Sequence, residues 1–399
     1  MSWNKLVSKR LKNHFFKGIL LTFITILLIS SCQSRANKPN TDDSKNDANH
    51  IVKDSLDFKI GQMLMIGFRG LSISESEHIK KDIQEHHLGG VVLYSVDLPS
   101  DRTQLRNIES PTQLKQLNED LQKLSNHTLL IGIDQEGGRV SRLSPKYGFP
   151  QKIPSAQYLG QLNDLDSTAY YSEQTARLLK EYGVNFNFAP DVDVNVNPDC
   201  PVIGGLERSF SANPSEVIAH AKAVIAAHKQ HNIICSLKHF PGHGSAKMDS
   251  HKGFTDVTDS WLEKELEPYE QLIEEQIVDA VMTAHVFNRK LDENYPATLS
   301  RKINYDLLRQ KMGYNGFIIS DDMHMGAIEK NFELEEAIER AINSGVDMLI
   351  FSNNSPDFYD NEIASKAVSI IKKLIEQGKI SEERIEASFK RIVELKGKL

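Results

Sequence analysis

Short apolar runs alternate with amphipathic stretches along most of the chain. Runs rich in large apolar and β-branched residues predict strands, and the stretches between them repeat apolar residues at helical spacing. The clearest helix is expected at 214–231, and others are expected at 260–276, 333–344, 358–377 and 381–397. The predicted strands lie at 62–68, 90–94, 129–133, 185–189, 233–237, 280–284, 316–319 and 348–351.

This regular alternation of strand and helix indicates βαβ units and therefore a parallel sheet. Eight such units in about 350 residues predict an α/β fold, namely a (β/α)8 TIM barrel, with a doubly wound open sheet as the alternative. No repeat of fixed period and no Pro/Gly-rich break marks a second domain. We therefore expect a single domain over residues 51–399.

The first fifty residues depart from this alternation. Basic side chains precede an apolar run at 18–29, which is shorter than the about 20 residues of a membrane-spanning helix and suits a signal peptide. The stretch 33–50 contains no large apolar side chain and cannot bury enough surface to become ordered. These patterns predict a signal peptide at 1–31 and a flexible linker at 32–50.

The four residues ISSC that end at Cys32 resemble a bacterial lipobox. The resemblance implies cleavage before Cys32 and lipidation of its thiol, which would attach the protein to the bacterial cell envelope. An uncleaved anchor or an ordinary signal peptide is the alternative. Because Gln33 follows, and not aspartate, we expect the outer membrane.

Charge and cysteine content exclude several classes of protein. The chain has 47 Lys and Arg against 54 Asp and Glu, a net charge of −7, which argues against nucleic-acid binding. Three cysteines are too few for a disulfide framework or a multi-thiolate zinc site. Cys200 and Cys235 fall toward opposite ends of the predicted barrel, so no disulfide between them is expected.

Polar and ionisable residues directly follow most of the predicted strands. In a TIM barrel the carboxyl ends of the strands form the rim at which the chemistry takes place, so these residues predict an active site there. They are Asp134, Asp191, Asp193, Lys238, His239, His285, Asp321, Asp322, Ser352 and Asn353.

Some of these rim residues suit the binding of a sugar. Asp134 precedes a glycine pair and could accept hydrogen bonds from vicinal hydroxyls, or merely from turn amides. Lys238 and His239 could bond substrate hydroxyls as well. Arg142 and Arg208 could donate a fork of hydrogen bonds to substrate oxygens, although a surface arginine is otherwise unremarkable.

Two further segments suggest acid–base and nucleophilic groups. Asp249 and His251 lie two residues apart in a loop, where the carboxylate can orient the imidazole and favour its protonated form. Asp321 and Asp322 end a buried strand, in which neighbouring side chains point to opposite faces. One of the two can therefore face the pocket as a nucleophile while the other makes structural bonds.

A metal site is the competing interpretation of the same rim. His239, His243 and His251 could be ligands, as a metal-dependent TIM-barrel hydrolase would require. Their spacing matches no helix-borne zinc motif. We therefore expect no metal and no other cofactor.

Six segments occur in order between about residues 56 and 397: GIDQEGGRV (132–140), KHFPGHG (238–244), DSH (249–251), VMTAHV (281–286), PATLS (296–300) and ISDDMHM (319–325). Together they resemble glycoside hydrolase family 3, and in particular its β-N-acetylhexosaminidase branch. The resemblance implies a TIM barrel and a retaining exo-β-N-acetylglucosaminidase that forms a covalent glycosyl-enzyme.

The same resemblance implies a role for individual residues. Asp321 matches the catalytic nucleophile, and His251 matches the acid/base with Asp249 as its dyad partner. The positions that match residues holding the terminal sugar are Asp134, Arg142, Arg208, Lys238 and His239.

Two departures from the family pattern stand out. Ser245 and Ala246 stand where the family often has Asp-Thr, and the family's Ile-Gly-x-Arg-Ser-Phe is lengthened between Ile203 and Arg208. Because the chain ends near residue 399, we expect it to lack the second domain that supplies a glutamate acid in family β-glucosidases. A β-glucosidase or a phosphorylase of the same family remains the alternative.

The expected location in the bacterial cell envelope limits the range of glycans that the protein can meet. An exported lipoprotein meets murein fragments, so GlcNAc-containing pieces of peptidoglycan are the first expectation. The expected partners are this glycan and, through Cys32, the membrane. The protein is expected to be a monomer.

Overall fold

A computed structural model describes residues 55–356 and 358–399. Eight parallel strands close into a barrel in which each strand pairs with its neighbours in sequence and the last pairs with the first. This confirms the predicted (β/α)8 barrel, and the open doubly wound alternative is wrong. The barrel strands are β1 Leu64–Gly67, β2 Gly90–Leu93, β3 Leu130–Ile133, β4 Phe186–Asn187, β5 Ile234–Phe240, β6 Ala280–Thr283, β7 Phe317–Asp322 and β8 Met348–Phe351.

The strands form at the apolar runs because both of their faces are buried. Every residue of β3 and β8 is buried, since one face fills the barrel interior while the other packs under helices. Inside the barrel the rings of Phe186 and Phe317 lie 6.3 Å apart between centroids. Two strands run further than predicted, β5 to Phe240 and β7 to Asp322.

Helices cover the outside of the barrel and connect successive strands. Side-chain caps fix several of their starts: Asn213 accepts the N–H of Ser215 at the first turn of the helix Pro214–Gln230. The connection between β6 and β7 is a helix with π-type hydrogen bonding, Lys302–Lys311. The α-helices are α1 Leu56–Gln62, α2 Glu77–Glu85, α3 Pro111–Leu124, α4 Ala156–Leu162, α5 Leu165–Glu181, α6 Pro214–Gln230, α7 Glu267–Glu274, α8 Gly326–Glu329, α9 Leu334–Ser344, α10 Ile363–Glu376 and α11 Glu382–Lys396.

The end of the barrel opposite the rim is tied to the last helix by a buried ion cluster. Asp347, just before β8, accepts hydrogen bonds from Arg309 at 2.7 Å and from Arg391 of α11 at 3.1 Å. Arg384 of α11 joins them at 3.4 Å. Removing the shared carboxylate would leave buried charges unpaired, so this cluster holds α11 against the barrel.

The predicted signal peptide, the lipidation site Cys32 and the linker lie outside the described residues. None of the helices within residues 55–356 and 358–399 has the length and hydrophobicity of a membrane-spanning segment. Cys200 and Cys235 are both free thiols and both buried, which confirms that they form no disulfide.

Candidate active site

Two strands of the barrel, β5 and β7, lose their regular pairing register at the rim. β5 shifts its pairing with β6 after Leu237, and β7 shifts its pairing with β8 after Ile319. Such irregularities re-aim side chains that a regular strand would point elsewhere. The residues that follow are Lys238 and His239 in β5 and Asp321 in β7.

A network of charged side chains occupies one side of this rim. Lys238 donates to Asp134 at 2.9 Å and contacts Glu136 at 2.5 Å. Arg208 forms a two-pronged bond to Glu136 at 2.8 and 2.9 Å, and Arg142 reaches Asp134 at 3.2 Å. The side chains of Lys238, Glu136 and Arg208 are 1%, 6% and 10% exposed, so water competes little for these bonds.

Mutual attraction keeps this network ionised. Burial alone would raise the pKa of Asp134 and of Glu136, but the neighbouring lysine and arginines hold both pKa values below their ordinary range. In the same way, burial opposes the charge on Lys238 and Arg208, yet the carboxylates raise the pKa of each. The rim therefore offers fixed, charged donors and acceptors, which form strong hydrogen bonds to hydroxyl groups.

Glu136 is the member of this network to which the sequence analysis gave no role. It lies two residues beyond Asp134 in extended chain, so the two side chains share a face, and this spacing was the available signal. Although the loop ahead of Arg208 is lengthened, Arg208 still contacts Glu136 in this network. A short 3-10 turn, Gly204–Leu206, and a left-handed Glu207 absorb the additional residues.

A second group of buried polar residues is centred on His239, the residue after Lys238. Asp193 accepts the ring Nδ1–H of His239 at 2.7 Å and the backbone N–H of His243 at 2.7 Å. Burial lowers the pKa of His239 well below its ordinary value, so the neutral ring accepts at Nε2 from Arg208 at 3.1 Å. Both ring nitrogens of His239 are thus used within the protein, and the ring helps to orient Arg208.

The histidines considered as metal ligands do not come together as a set of three. In the described part of the chain, the group close enough to hold an ion is Asp191, Asp193 and His239, without His251. The guanidinium of Arg208 already lies 3.4 Å from Asp191 Oδ2 and would repel a divalent cation. This arrangement therefore suits hydrogen bonding within the protein better than metal binding.

Asp249 and His251 meet in the loop 241–254, which follows β5 and is called the dyad loop below. Asp249 Oδ1 accepts the ring Nδ1–H of His251 at 2.8 Å and its backbone N–H at 2.9 Å. Desolvation by the surrounding protein would by itself lower the pKa of His251. The hydrogen bond to Asp249 and the charge of Asp321 nevertheless raise this pKa above its ordinary value. The imidazole is still 63% exposed, so a substrate can reach it.

The two consecutive aspartates at the end of β7 differ in their bonding. Asp322 accepts the backbone N–H of Ser352 at 2.8 Å and that of His324 at 3.2 Å, so it joins β7 to the residues after β8. Burial would raise the pKa of Asp321, but His285, His251 and the backbone N–H of Asp322 lower it below its ordinary value, so it is a carboxylate. The alternation of side chains along the strand predicted this division between the two residues.

His285, at the end of β6, supports this part of the rim. Its Nε2 lies 2.8 Å from the carbonyl oxygen of Asp322, and its Nδ1 lies 2.8 Å from Thr298 Oγ1. The ring is buried and its pKa is lowered, mainly by that burial. His285 thus fixes the backbone next to Asp321. The sequence analysis placed it on the rim without this role.

This chain is similar to known proteins over most of its length. The glycosyl hydrolase family 3 N-terminal domain matches residues 55–395. A β-hexosaminidase from Tolumonas auensis is 35% identical over 322 residues, which cover 77% of this chain and 90% of that protein. β-Hexosaminidase A from Pseudoalteromonas piscicida is 30% identical over 375 residues, covering 85% of this chain and 60% of that protein.

Solved structures agree with these matches. The structure of a family 3 β-N-acetylglucosaminidase from Paenibacillus sp. str. FPU-7 is 34% identical, with a TM-score of 0.77, covering 86% of this chain and 62% of that one. This chain thus spans about 60% of the length of the Pseudoalteromonas and Paenibacillus proteins. Its closed barrel, its rim motifs and the extent of these matches show that the chain belongs to glycosyl hydrolase family 3.

Proposed function

We propose that this protein is a retaining exo-β-N-acetylhexosaminidase that removes terminal β-linked N-acetylglucosamine. The observation that carries the proposal is the pairing, at one rim, of an ionised Asp321 with a protonatable His251 held by Asp249. The names of the relatives, β-hexosaminidase and β-N-acetylglucosaminidase, support this class of sugar.

In the first step the Asp321 carboxylate attacks the anomeric carbon and forms a glycosyl ester. His251 donates its Nε2 proton to the glycosidic oxygen, so the carbon–oxygen bond breaks and the leaving group departs as a neutral alcohol. Asp249 holds the ring through Nδ1, which leaves Nε2 directed away from the bond to Asp249. The raised pKa of His251 favours the protonated form of this acid.

In the second step the neutral His251 accepts a proton from water while the water oxygen attacks the anomeric carbon. The ester bond to Asp321 breaks and its carboxylate is restored. Two displacements at one carbon leave the sugar in its original β configuration. The imidazole is protonated again at the end, so the cycle is closed.

The charged network beside Lys238 provides the sugar site in this proposal. Asp134 would accept hydrogen bonds from two vicinal hydroxyls, because Lys238 and Arg142 hold its carboxylate ionised and in place. Arg208, held by Glu136, would donate to the sugar from the other side. Such bonds position the anomeric carbon against Asp321, and positioning accounts for much of the rate of an enzyme.

The test compares hydrolysis of an aryl β-N-acetylglucosaminide with that of the matching β-glucoside by the full-length chain, in the presence and in the absence of EDTA. We expect turnover of the first compound alone, a β-configured product, and no product sugar phosphate when inorganic phosphate is added. The Asp321→Asn variant serves as the matched inactive control. Equal turnover of the glucoside would indicate a β-glucosidase, a sugar phosphate would indicate a phosphorylase, and loss of turnover with EDTA would indicate a metal-dependent hydrolase.

We further propose, from the sequence alone, that Cys32 is lipidated and that the barrel acts at the bacterial outer membrane on GlcNAc-containing peptidoglycan fragments. A Cys32→Ser variant is expected to lose incorporation of labelled fatty acid and to leave the membrane fraction. Retention of the variant in that fraction would contradict the anchor. Release of GlcNAc from purified muropeptides tests the substrate independently.

A further inference from the structure

The dyad loop is held from two sides at Ser250, the residue between Asp249 and His251. On one side Ser250 Oγ lies 3.1 Å from Nε2 of His243, and both of these residues are only 2% exposed. On the other side its carbonyl oxygen accepts the N–H of Ala327 at 3.2 Å. Ser250 is therefore fixed between the β5 side of the rim and the segment that follows β7.

The next residue makes a parallel contact. The carbonyl oxygen of His251 accepts the N–H of Gly326 at 3.2 Å, so the backbone of the acid/base residue itself rests on the start of α8. Lys330, at the end of α8, adds a third contact by donating to the carbonyl oxygen of Lys252 at 3.1 Å. Since α8 begins shortly after β7, the chain that carries Asp321 also carries the support of His251.

Gly326 allows this close approach because it lacks a side chain. A Cβ at this position would lie 2.9 Å from the carbonyl oxygen of His251 and 3.0 Å from the carbonyl carbon of Lys252. Both atoms belong to the loop backbone, so a methyl group would push the loop away. The φ of Gly326 is not left-handed and the residue is helical, so its backbone by itself would accept alanine.

We propose that Gly326 is a positioning residue for the general acid. Its close backbone contact with the dyad loop, called the seat below, sets the distance of the His251 imidazole from Asp321 and from the glycosidic oxygen between them. The inference rests on the proposed function, because it assigns the acid to His251. A displacement of about 1 Å in a catalytic group can lower a rate on the order of 10²-fold. The contact acts through the backbone of the loop and does not touch the substrate.

The test uses Gly326→Ala in the full-length chain with two aryl β-N-acetylglucosaminides. Phenolate is a poor leaving group and needs a proton from the acid, whereas 2,4-dinitrophenolate leaves without one. General acid catalysis is worth about 10²- to 10⁴-fold, so we expect kcat/KM for the phenyl compound to fall at least about tenfold more than for the dinitrophenyl compound. An equal loss for both compounds, or no loss, overturns the proposal.

The chain offers a matched control in the same loop. A Cβ at Gly253 would meet nothing within 4 Å, and the φ of this glycine is not left-handed either. Gly253→Ala is therefore expected to keep the wild-type ratio between the two substrates. If it changes that ratio as much as Gly326→Ala does, a general stiffening of the loop explains the effect and the seat on Gly326 is refuted.

Hydrogen exchange tests the seat without any substrate. We expect amides of residues 247–253 to exchange faster in Gly326→Ala than in Gly253→Ala, and unchanged exchange overturns the proposal. Lack of turnover by the wild-type protein with both substrates would refute the proposed function, while the exchange result would still decide whether Gly326 seats the loop. Should Gly326→Ala fail to fold, Lys330→Met takes its place in both measurements, because it removes the contact of α8 with the carbonyl oxygen of Lys252 in the same loop and adds no bulk.

Discussion

Replacing Glu136 by glutamine removes one negative charge from the centre of the rim network with almost no change of shape. Its carboxylate receives two bonds from Arg208, at 2.8 and 2.9 Å, and contacts Lys238 at 2.5 Å. A glutamine amide offers one acceptor oxygen, and its NH₂ group would face the same cations as a donor. In the variant, the buried cations Arg208 and Lys238 therefore lose the negative charge of Glu136 and one of its two acceptor oxygens.

The expected cost follows from these contacts. Removing one partner of a buried ion pair typically costs about 3–5 kcal/mol, because the other charge remains buried. Asp134 still bonds Lys238 at 2.9 Å, and Asp191 lies 3.4 Å from Arg208, so we expect the lower end, about 3 kcal/mol. At about 2–4 °C per kcal/mol for a large domain, the melting temperature should fall by about 6–12 °C.

Thermal unfolding of the full-length chain, followed by circular dichroism at several pH values, measures this cost. Because the folded protein lowers the pKa of Glu136, its contribution is complete above the ordinary glutamate pKa of about 4.3 and is lost as the pH falls below it. The difference between wild type and variant should therefore shrink in acid. Glu207→Gln, at an exposed position in the loop that carries Arg208, is the matched control and should melt like the wild type.

The same variant should lower kcat/KM for an aryl β-N-acetylglucosaminide by about 10- to 100-fold, because Arg208 and Lys238 would lose their fixed positions. A melting temperature within about 1 °C of the wild type at neutral pH would refute this reasoning. It would mean that Asp134 and Asp191 satisfy both cations without Glu136.

Three further outcomes are expected. Asp321→Asn should lower turnover on the order of 10³-fold or more without changing thermal stability greatly, and appreciable residual hydrolysis would exclude Asp321 as the nucleophile. Asp249→Asn should move the alkaline limb of the pH–kcat/KM profile to lower pH, because Asp249 raises the pKa of His251, and an unmoved limb would contradict the dyad. Burial raises the pKa of Asp82 to about 7, so its ionisation destabilises the fold as the pH rises from about 4 through 7. Asp82→Asn should therefore raise the free energy of unfolding, measured by denaturant titration, at pH 8 by up to about 4 kcal/mol but not at pH 4.

The barrel could be predicted from the sequence because buried parallel strands are nearly continuous apolar runs. The run Met348–Phe351 is an example: all four residues are apolar, all four are buried, and the strand has the predicted ends. The helix expected from residue 260 was less accurate. It begins only at Glu267, because the preceding residues form the separate 3-10 turn Glu263–Glu265.

One contact of the candidate site could be predicted from the sequence because its two residues are close together along the chain. The pair Asp249 and His251 meets at 2.8 Å, as a spacing of two residues in a loop allows. The sequence could not rank Glu136, whose partners come from distant loops, nor could it show that Asp193 would bind both His239 and His243. Such contacts depend on how loops from different strands pack together, and no local pattern records that packing.

The two buried cysteines, Cys200 and Cys235, can report local opening of the structure, because a buried thiol reacts only when it becomes exposed. Cys200 lies in the loop that leads to Arg208, whereas Cys235 lies in β5, within the barrel wall. They are 0% and 4% exposed, and burial raises the pKa of both thiols, so neither should react with an alkylating reagent in the closed state. Labelling of Cys200 then reports loosening of the rim, and labelling of Cys235 reports separation of the strands. The ratio of the two labelling rates measures how often the loop before Arg208 opens relative to the strands of the barrel.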